Sequence, residues 1–214
     1  MAGQDVATPA ATAPVVTGRV VGTSGQAVAD VLVEAFGHRL DRTPVTLPNG
    51  QTALIFLDVL GLDPLRGGRT LQSSAPPSAR TDGEGRFSLQ LPGAGVYNVE
   101  AVVSPAEKAW KSKIDVASVS VPIGDMALAA TSVLTGRLTM PDNPGSPDGA
   151  EVYIAGSVYR TTADASGQYR FENVPAGTVD VMAFKENLRG KAVCISVAPG
   201  GQTAAPDAPM QAVP

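Results

Sequence analysis

An internal duplication constrains the fold of this chain more than any other feature of the sequence. Four segments of the first half recur in the same order in the second half. The pairs are VTGRVVG (16–22) with LTGRLTM (134–140), GQAVADVLVEA (25–35) with SPDGAEVYIAG (146–156), TDGEGRFSLQLPGAG (81–95) with TADASGQYRFENVPAG (162–177), and VYNVEAVV (96–103) with TVDVMAF (178–184). Two copies are too few for a solenoid, so the sequence predicts a pair of similar domains.

The apolar residues within each copy recur with a period of two. Phe87, Leu89 and Leu91 alternate with polar residues, as do Tyr169 and Phe171 in the second copy. This alternation is typical of a strand with one face on a core and one face in water. The composition agrees, because 23 glycines and 18 prolines without a collagen-like period indicate many turns between short strands. We therefore predict an all-β fold of two tandem antiparallel β-sandwiches.

A short Asp-x-x-Gly segment precedes the aromatic strand in both copies, as Asp82–Gly85 and Asp164–Gly167. An aspartate side chain can accept backbone N–H groups two residues further on, and glycine tolerates positive φ. Calcium needs six to eight oxygen ligands, which is more than these segments supply. The pattern therefore predicts a repeated tight turn.

The two ends and one internal stretch depart from the strand pattern. We predict an N-terminal arm over 1–14, a sandwich over 15–127, a second sandwich over 128–203, and a C-terminal tail over 204–214. Both ends are rich in Ala, Pro and Thr and are expected to form extended arms. The first copy carries an insertion at about 38–79, in which LPNGQ (47–51) favours a hairpin turn.

Charge and cysteine content exclude several classes of protein. The chain has 10 basic and 12 acidic residues up to Ala127, and 6 and 8 after it, so no basic domain for nucleic acid is expected. Cys194, the single cysteine, lies in KAVCISVA (191–198) and is interpreted as a small buried hydrophobe. No apolar run is long enough for a membrane span, and the N-terminus lacks the pattern of a secretory signal.

The motifs TGRV, VADVLVEA and TDGEGRFSLQLPGAG resemble those of carboxypeptidase regulatory-like, or transthyretin-like, β-sandwich domains. The resemblance covers about 15–125 and 129–203. It implies a non-catalytic module, because most members of this family space, dock or bind within surface proteins, transporters, peptidases and virus particles. The long insertion of the first copy departs from the family pattern.

Enzymes related to this sandwich are not expected from the residues present. Hydroxyisourate hydrolases need several histidines and a terminal Tyr-Arg-Gly-Ser, and intradiol dioxygenases need two histidines on iron, whereas His38 is the single histidine. Zinc needs three or four ligands, so no metal or other cofactor is predicted. Some related adhesin modules form Lys–Asn isopeptide bonds from the first strand, where this chain has Arg19 and Arg137. We therefore expect no such bond and no catalytic residue.

Two segments are candidate binding surfaces. AEKAWKSKIDV (106–116) holds the single tryptophan and three of the five lysines. If the segment is a regular strand, Lys111 and Lys113 share one face with Ala109, and Trp110 shares the other with Ile114. Trp110 is then either an exposed platform for a sugar or a protein, or a core residue of an edge strand protected by lysines. The core reading is favoured, and Arg66 and Arg69 in LDPLRGGRT (62–70) are the second candidates.

These observations predict a non-catalytic structural or accessory protein whose partners are the protein subunits of a large assembly. The expected assembly is a phage virion, with the protein in a decoration, tail or neck position, or a related contractile particle. The alternative is a secreted or cell-surface adhesion module whose signal peptide has been removed, with carbohydrate as a second class of partner. Neither reading includes nucleic acid or membrane insertion.

Overall fold

The computed structural model describes residues 13–37, 43–46, 52–55, 75–117, 120–141 and 145–212. Every regular element in these residues is a strand. The first copy contains β1 (Val15–Val21), β2 (Leu32–Gly37), β3 (Thr43–Thr46), β4 (Thr52–Ile55), β5 (Ser78–Arg80), β6 (Arg86–Gln90), β7 (Gly95–Ser104), β8 (Glu107–Val116), β9 (Val121–Ala127) and β10 (Ala129–Ala130). The second contains β11 (Ser132–Thr139), β12 (Glu151–Ile154), β13 (Arg160–Thr162), β14 (Gln168–Val174), β15 (Gly177–Lys185), β16 (Leu188–Val197), β17 (Gln202–Ala204), β18 (Ala208–Pro209) and β19 (Gln211–Ala212).

Each copy folds into one small and one five-stranded sheet. The first copy has the strand orders β6-β1-β9 and β10-β8-β7-β2-β5, and the second has β14-β11-β17 and β13-β12-β15-β16-β19, with β18 also pairing with β11. Pairing is antiparallel, except that β9 runs parallel to β1, and β17 and β18 run parallel to β11. The predicted fold class, two tandem β-sandwiches, is confirmed, and the duplication extends to the order of the strands.

Alternating residues from the two sheets of each sandwich form its core. In β6 the buried Phe87 and Leu89 alternate with exposed residues, and in β14 Tyr169 and Phe171 do the same. The buried residues form two separate apolar clusters, one in each sandwich. Burial of such side chains stabilises each sandwich by roughly 1.5–3 kcal/mol per large residue.

The repeated Asp-x-x-Gly segments form the predicted turns. Asp82 Oδ1 accepts the backbone N–H groups of Glu84 and Arg86 at 3.0 and 2.8 Å. The Asp164 carboxylate makes two such bonds, both of 2.9 Å. The bond from the Arg86 N–H is the main cause that lowers the pKa of Asp82 below its usual range. For Asp164 the main cause is a bond of 2.7 Å from the Ser166 hydroxyl, followed by the Gln168 N–H, and its pKa is lowered as well. Gly85 and Gly167 have φ values of +74° and +81°, a region that side chains rarely adopt.

Substitution of valine for Gly167 is expected to destabilise the second sandwich. A Cβ atom there would lie 2.2 Å from the Leu138 carbonyl oxygen, and the positive φ adds roughly 1–3 kcal/mol of strain. Gly83→Ala is the control, because nothing lies within 4 Å of its Cβ position. Thermal unfolding measures both variants. The turn explanation is wrong if Gly167→Val and Gly85→Val both unfold at the wild-type temperature.

The glycine of the TGR motif is required by packing, for a reason that the sequence did not reveal. A Cβ atom on Gly18 would lie 2.7 Å from the ring of Phe87, and one on Gly136 would lie 2.1 Å from the hydroxyl of Tyr169. The first strand of each copy therefore has a glycine where the aromatic side chain of the neighbouring strand crosses it.

The C-terminal residues differ from the predicted arm. β17, β18 and β19 belong to the second sandwich, and Ala208 and Met210 are each only 1% exposed. Backbone N–H groups of Ala205 and Met210 donate to carbonyl groups of β11 at 2.7 and 2.8 Å. The prediction of an extended tail is therefore wrong for 204–212. Small alanine side chains fit beside β11, so a composition typical of linkers forms an edge of the sandwich.

The remaining predictions about the ends and the insertion are met in part. Residues 1–12 of the N-terminal arm lie outside the described residues. Within the insertion, β3 and β4 pair antiparallel from Thr43 with Ile55 to Thr46 with Thr52. The connecting residues 47–51 lie outside the described part, but the paired strands are those of the hairpin that the Asn-Gly sequence predicts.

Candidate functional site

The two sandwiches contact each other through the outer faces of their five-stranded sheets. We call this contact the junction. It contains Asn98, Glu100, Lys108, Trp110 and Lys113 of the first sandwich and Ala155, Gly156, Tyr159, Thr178 and Asp180 of the second. Hydrogen bonds and an ion pair therefore join the two sandwiches where they meet.

The junction includes a structural feature that the duplication produced twice. Asn98 on β7 and Asp180 on β15 hold equivalent positions, as do Lys113 on β8 and Cys194 on β16. The Lys113 N–H donates to Asn98 Oδ1 at 2.9 Å, and the Cys194 N–H donates to Asp180 Oδ1 at 2.6 Å. Lys113 and Cys194 have φ values of 57° and 56°, and the pairing register shifts at both places. Each five-stranded sheet thus has a β-bulge capped by an Asn or Asp side chain.

The two capped bulges contact the opposite sandwich. Lys113 Nζ lies 2.8 Å from Asp180 Oδ2, and the Asp180 side chain is 0% exposed. Asn98 Nδ2 donates to the carbonyl groups of Ala155 and Gly156 at 2.9 and 3.0 Å. The hydrogen bond to Asp180 raises the pKa of Lys113 above its ordinary value, against the smaller opposing effect of burial. A buried carboxylate needs such a partner, so this ion pair fixes the relative position of the two bulges.

A second buried cluster lies beside the bulges. Glu100 has a side chain only 2% exposed and accepts a hydrogen bond from the Tyr159 hydroxyl. Lys108 Nζ donates to the same hydroxyl oxygen at 2.6 Å and lies 3.5 Å from Glu100 Oε1. Burial, followed by the Glu100 charge, raises the pKa of Tyr159, so the hydroxyl stays protonated and donates a hydrogen bond to the carboxylate.

Trp110 is part of the junction. Its side chain is half-buried and packs against the core cluster of the second sandwich, while Nε1 donates to the Thr178 carbonyl at 3.0 Å. A Cβ atom on Gly177 would lie 3.0 Å from the indole ring. Trp110 is therefore neither a free platform nor a core residue of its own sandwich.

The predicted faces of β8 are wrong in part. Ala109 and Ile114 both lie in the core of the first sandwich, so Ile114 does not share a face with Trp110. The bulge at Lys113 is the physical reason, because an extra residue changes the phase of the alternation. Lys111 points to the other side from Trp110, and its ammonium group donates to the Ile123 carbonyl.

The other predicted residues have separate outcomes. Cys194 is exposed rather than buried, because the bulge on β16 turns it outward, and its sulfur lies 3.5 Å from Lys113 Nζ. Arg66, Arg69 and His38 lie outside the described residues. Sequence reasoning missed Asn98 and Asp180. An Asn or Asp at the same strand position of both copies was the available signal, since both residues are disfavoured within strands.

The Lys113–Asp180 pair is expected to make the protein less stable at alkaline pH. The pKa of Lys113 is raised above 10.5 in the folded state, so its contribution is complete below that pH and declines as pH rises through the folded pKa. In urea unfolding, the free energy of unfolding should decrease more above pH 10.5 for the wild type than for Lys113→Gln. Lys191→Gln, an exposed control on β16, should behave as wild type. Equal alkaline losses in all three proteins would contradict this role of Lys113.

The described residues contain no group of three or more His, Cys, Asp or Glu side chains placed to hold a metal ion. Within the same ranges, no helical segment has the length and apolarity required to cross a bilayer.

No family model and no curated protein matches the chain. Similar solved structures include a double mutant of the shaft pilin SpaA from Lactobacillus rhamnosus GG, at 10% identity over 95% of this chain and 100% of that one, with a TM-score of 0.31. The minor pilin GBS52 of Streptococcus agalactiae is 11% identical over 94% and 98%, with a TM-score of 0.30. A type II cohesin–X-dockerin complex of Acetivibrio cellulolyticus is 21% identical over 38% of this chain, with a TM-score of 0.34. The match spans 58% of that protein. These TM-scores are low, so the fold assignment rests on the strand pairing described above.

Proposed function

We propose that this chain is a non-catalytic structural module of a cell-surface or extracellular protein assembly. In this proposal, two carboxypeptidase regulatory-like sandwiches form a stiff unit that spaces or presents other protein parts. The observation that carries the proposal is the ion pair between Lys113 and the fully buried Asp180, which joins one sandwich to the other. A load-transmitting or spacing module needs a fixed angle between its domains. Domains that meet only through a small polar interface move relative to each other by default, so a buried ion pair is needed to hold the angle.

The geometry of the junction supports a structural role over a catalytic one. Glu100, Lys108 and Tyr159 are titratable groups of the kind used in catalysis, but they bond to one another across the junction. The side chains of Glu100 and Lys108 are only 2% and 11% exposed, and Tyr159 is half-buried. A substrate would therefore first have to separate the sandwiches. The same contacts orient one sandwich on the other, which is a structural function.

Immunogold electron microscopy of the cells that produce the protein tests this proposal. Antibodies raised against the purified chain should label the outer surface of intact cells. Gold on virions or contractile particles purified from lysates would overturn the proposal and favour a role in a particle of that kind. Gold confined to the cytoplasm would contradict both placements.

A further inference from the structure

A groove of roughly 740 Å³ crosses the outer face of the small sheet of the second sandwich. We call it the β11 groove. Residues of β11, β13, β14 and β17 line it, including Thr135, Arg137, Gln168, Arg170 and Gln202. Its volume lies within the range of small-molecule sites. The groove is lined by the small sheet and by β13 at the edge of the five-stranded sheet, and none of the junction residues named above lines it.

The lining of the β11 groove exposes polar and apolar surface in similar amounts, and its charges balance. Two arginines, Arg137 and Arg170, are matched by two aspartates, Asp164 and Asp207. The remaining polar side chains are those of three threonines, two glutamines and Tyr169, and two alanines complete the list of side chains. Such a surface offers many hydrogen-bond donors and acceptors, no net charge and no large aliphatic side chain.

The first copy shows that folding does not require this arrangement. There, β9 runs beside β1 from Val16 to Val21, and Arg19 makes two hydrogen bonds to Asp125, at 2.8 and 3.1 Å. In the second copy the parallel pairing includes 133–135 and 138–139 but skips the two residues between them. The equivalent arginine, Arg137, makes no ion pair among the described residues and donates one long bond of 3.4 Å to the Ser166 carbonyl. Its guanidinium therefore keeps donors for a ligand.

Tyr169 provides a second difference between the copies. Its equivalent in the first sandwich is Phe87, so the hydroxyl is not needed to fill the core. Tyr169 is 3% exposed, and its hydroxyl has no hydrogen-bond partner among the described residues. Burial, and secondarily Asp207, raises its pKa to about 12. Leaving a buried hydroxyl unpaired is unfavourable, and this one belongs to a residue that lines the groove.

We propose that the β11 groove is a binding site for a neutral oligosaccharide. Sugar hydroxyls both donate and accept hydrogen bonds, which matches the mixed amide, hydroxyl, guanidinium and carboxylate lining. The balanced charges do not favour a polyanion, and the lining has no large aliphatic side chain to anchor a peptide. This site goes beyond the proposed structural function and does not depend on it.

The test is an NMR titration of the full chain with three neutral probes, namely chitotriose, cellotriose and maltotriose. At least one probe should give saturable amide shifts confined to β11, β13, β14, β17 and the residues directly after β17. Thr135→Trp, which fills the groove from the outer face of β11, should abolish these shifts. Thr17→Trp, at the equivalent position of β1, should leave them unchanged. Arg137→Gln should weaken binding about tenfold, since a bond from a charged donor is lost.

Thermal unfolding and the amide spectrum establish that each variant remains folded, and Arg137→Gln decides the question if Thr135→Trp does not fold. The proposal is overturned if none of the three probes shifts the groove amides. It is also overturned if binding survives both groove substitutions, or if a heparin tetrasaccharide occupies the groove while the neutral probes do not. None of these results bears on the cellular placement tested by immunogold labelling.

Discussion

Deletion of residues 205–214 is expected to unfold the second sandwich while the first remains folded. The deletion removes β18 and β19 and the buried side chains of Ala205, Ala208 and Met210. Met210 alone is 1% exposed and packs in the core cluster beside Gly190. Truncation of a buried methionine to alanine costs about 2–5 kcal/mol. Loss of the whole segment should therefore remove a large part of the roughly 5–15 kcal/mol by which a typical domain is stable.

Two shorter changes make this prediction specific. Met210→Ala should lower the free energy of unfolding by about 2–5 kcal/mol. Deletion of residues 211–214, which removes the exposed Gln211 and Ala212, should have a much smaller effect. Calorimetry and amide spectra distinguish the two sandwiches. Retention of all second-sandwich amide signals after deletion of 205–214 would show that the segment is the dispensable tail expected from its composition.

Replacement of Lys113 by methionine is expected to be the most damaging single change at the junction. It removes the ammonium group that compensates the buried Asp180 carboxylate. Breaking a buried ion pair costs roughly 3–5 kcal/mol, and the 36% exposure of the Lys113 side chain reduces the expected loss to about 2–4 kcal/mol. Urea unfolding of the full chain measures this loss.

The double variant Lys113→Met with Asp180→Asn separates a charge effect from a packing effect. It leaves no uncompensated charge, so it should recover part of the lost stability. Lys191→Met on the exposed surface of β16 is the control and should unfold as wild type. The two residues are not coupled if the double variant is less stable than Lys113→Met by the full cost of a second, independent mutation.

Local patterns predicted the parts of the fold that depend on local physics. The alternation around Phe87 and Phe171 specifies which strand faces are buried, and the Asp82 and Asp164 turns follow from side-chain bonds to nearby backbone. Each of these features involves residues close in sequence. The duplication predicted that the two copies share one arrangement, and their strand orders agree, but the order itself was not predicted.

The junction could not be predicted in this way, because it depends on contacts between residues far apart in the chain. Lys113 and Asp180 are 67 positions apart, and Trp110 bonds to a carbonyl 68 positions away. The bulge at Lys113 also changed the face on which its neighbours lie, so a strict period of two placed Ile114 beside Trp110. The buried C-terminal strands were missed because alanine and proline are common in linkers and give little strand signal.

We expect the junction to make the two sandwiches one rigid unit. Nitrogen-15 relaxation of the strand amides tests this expectation most directly, because it reports the rotational diffusion of each sandwich separately. One rotational diffusion tensor should fit the amides of both sandwiches, and this common tumbling should be lost in Lys113→Met. Two different correlation times in the wild-type protein, each typical of an independent sandwich, would contradict it.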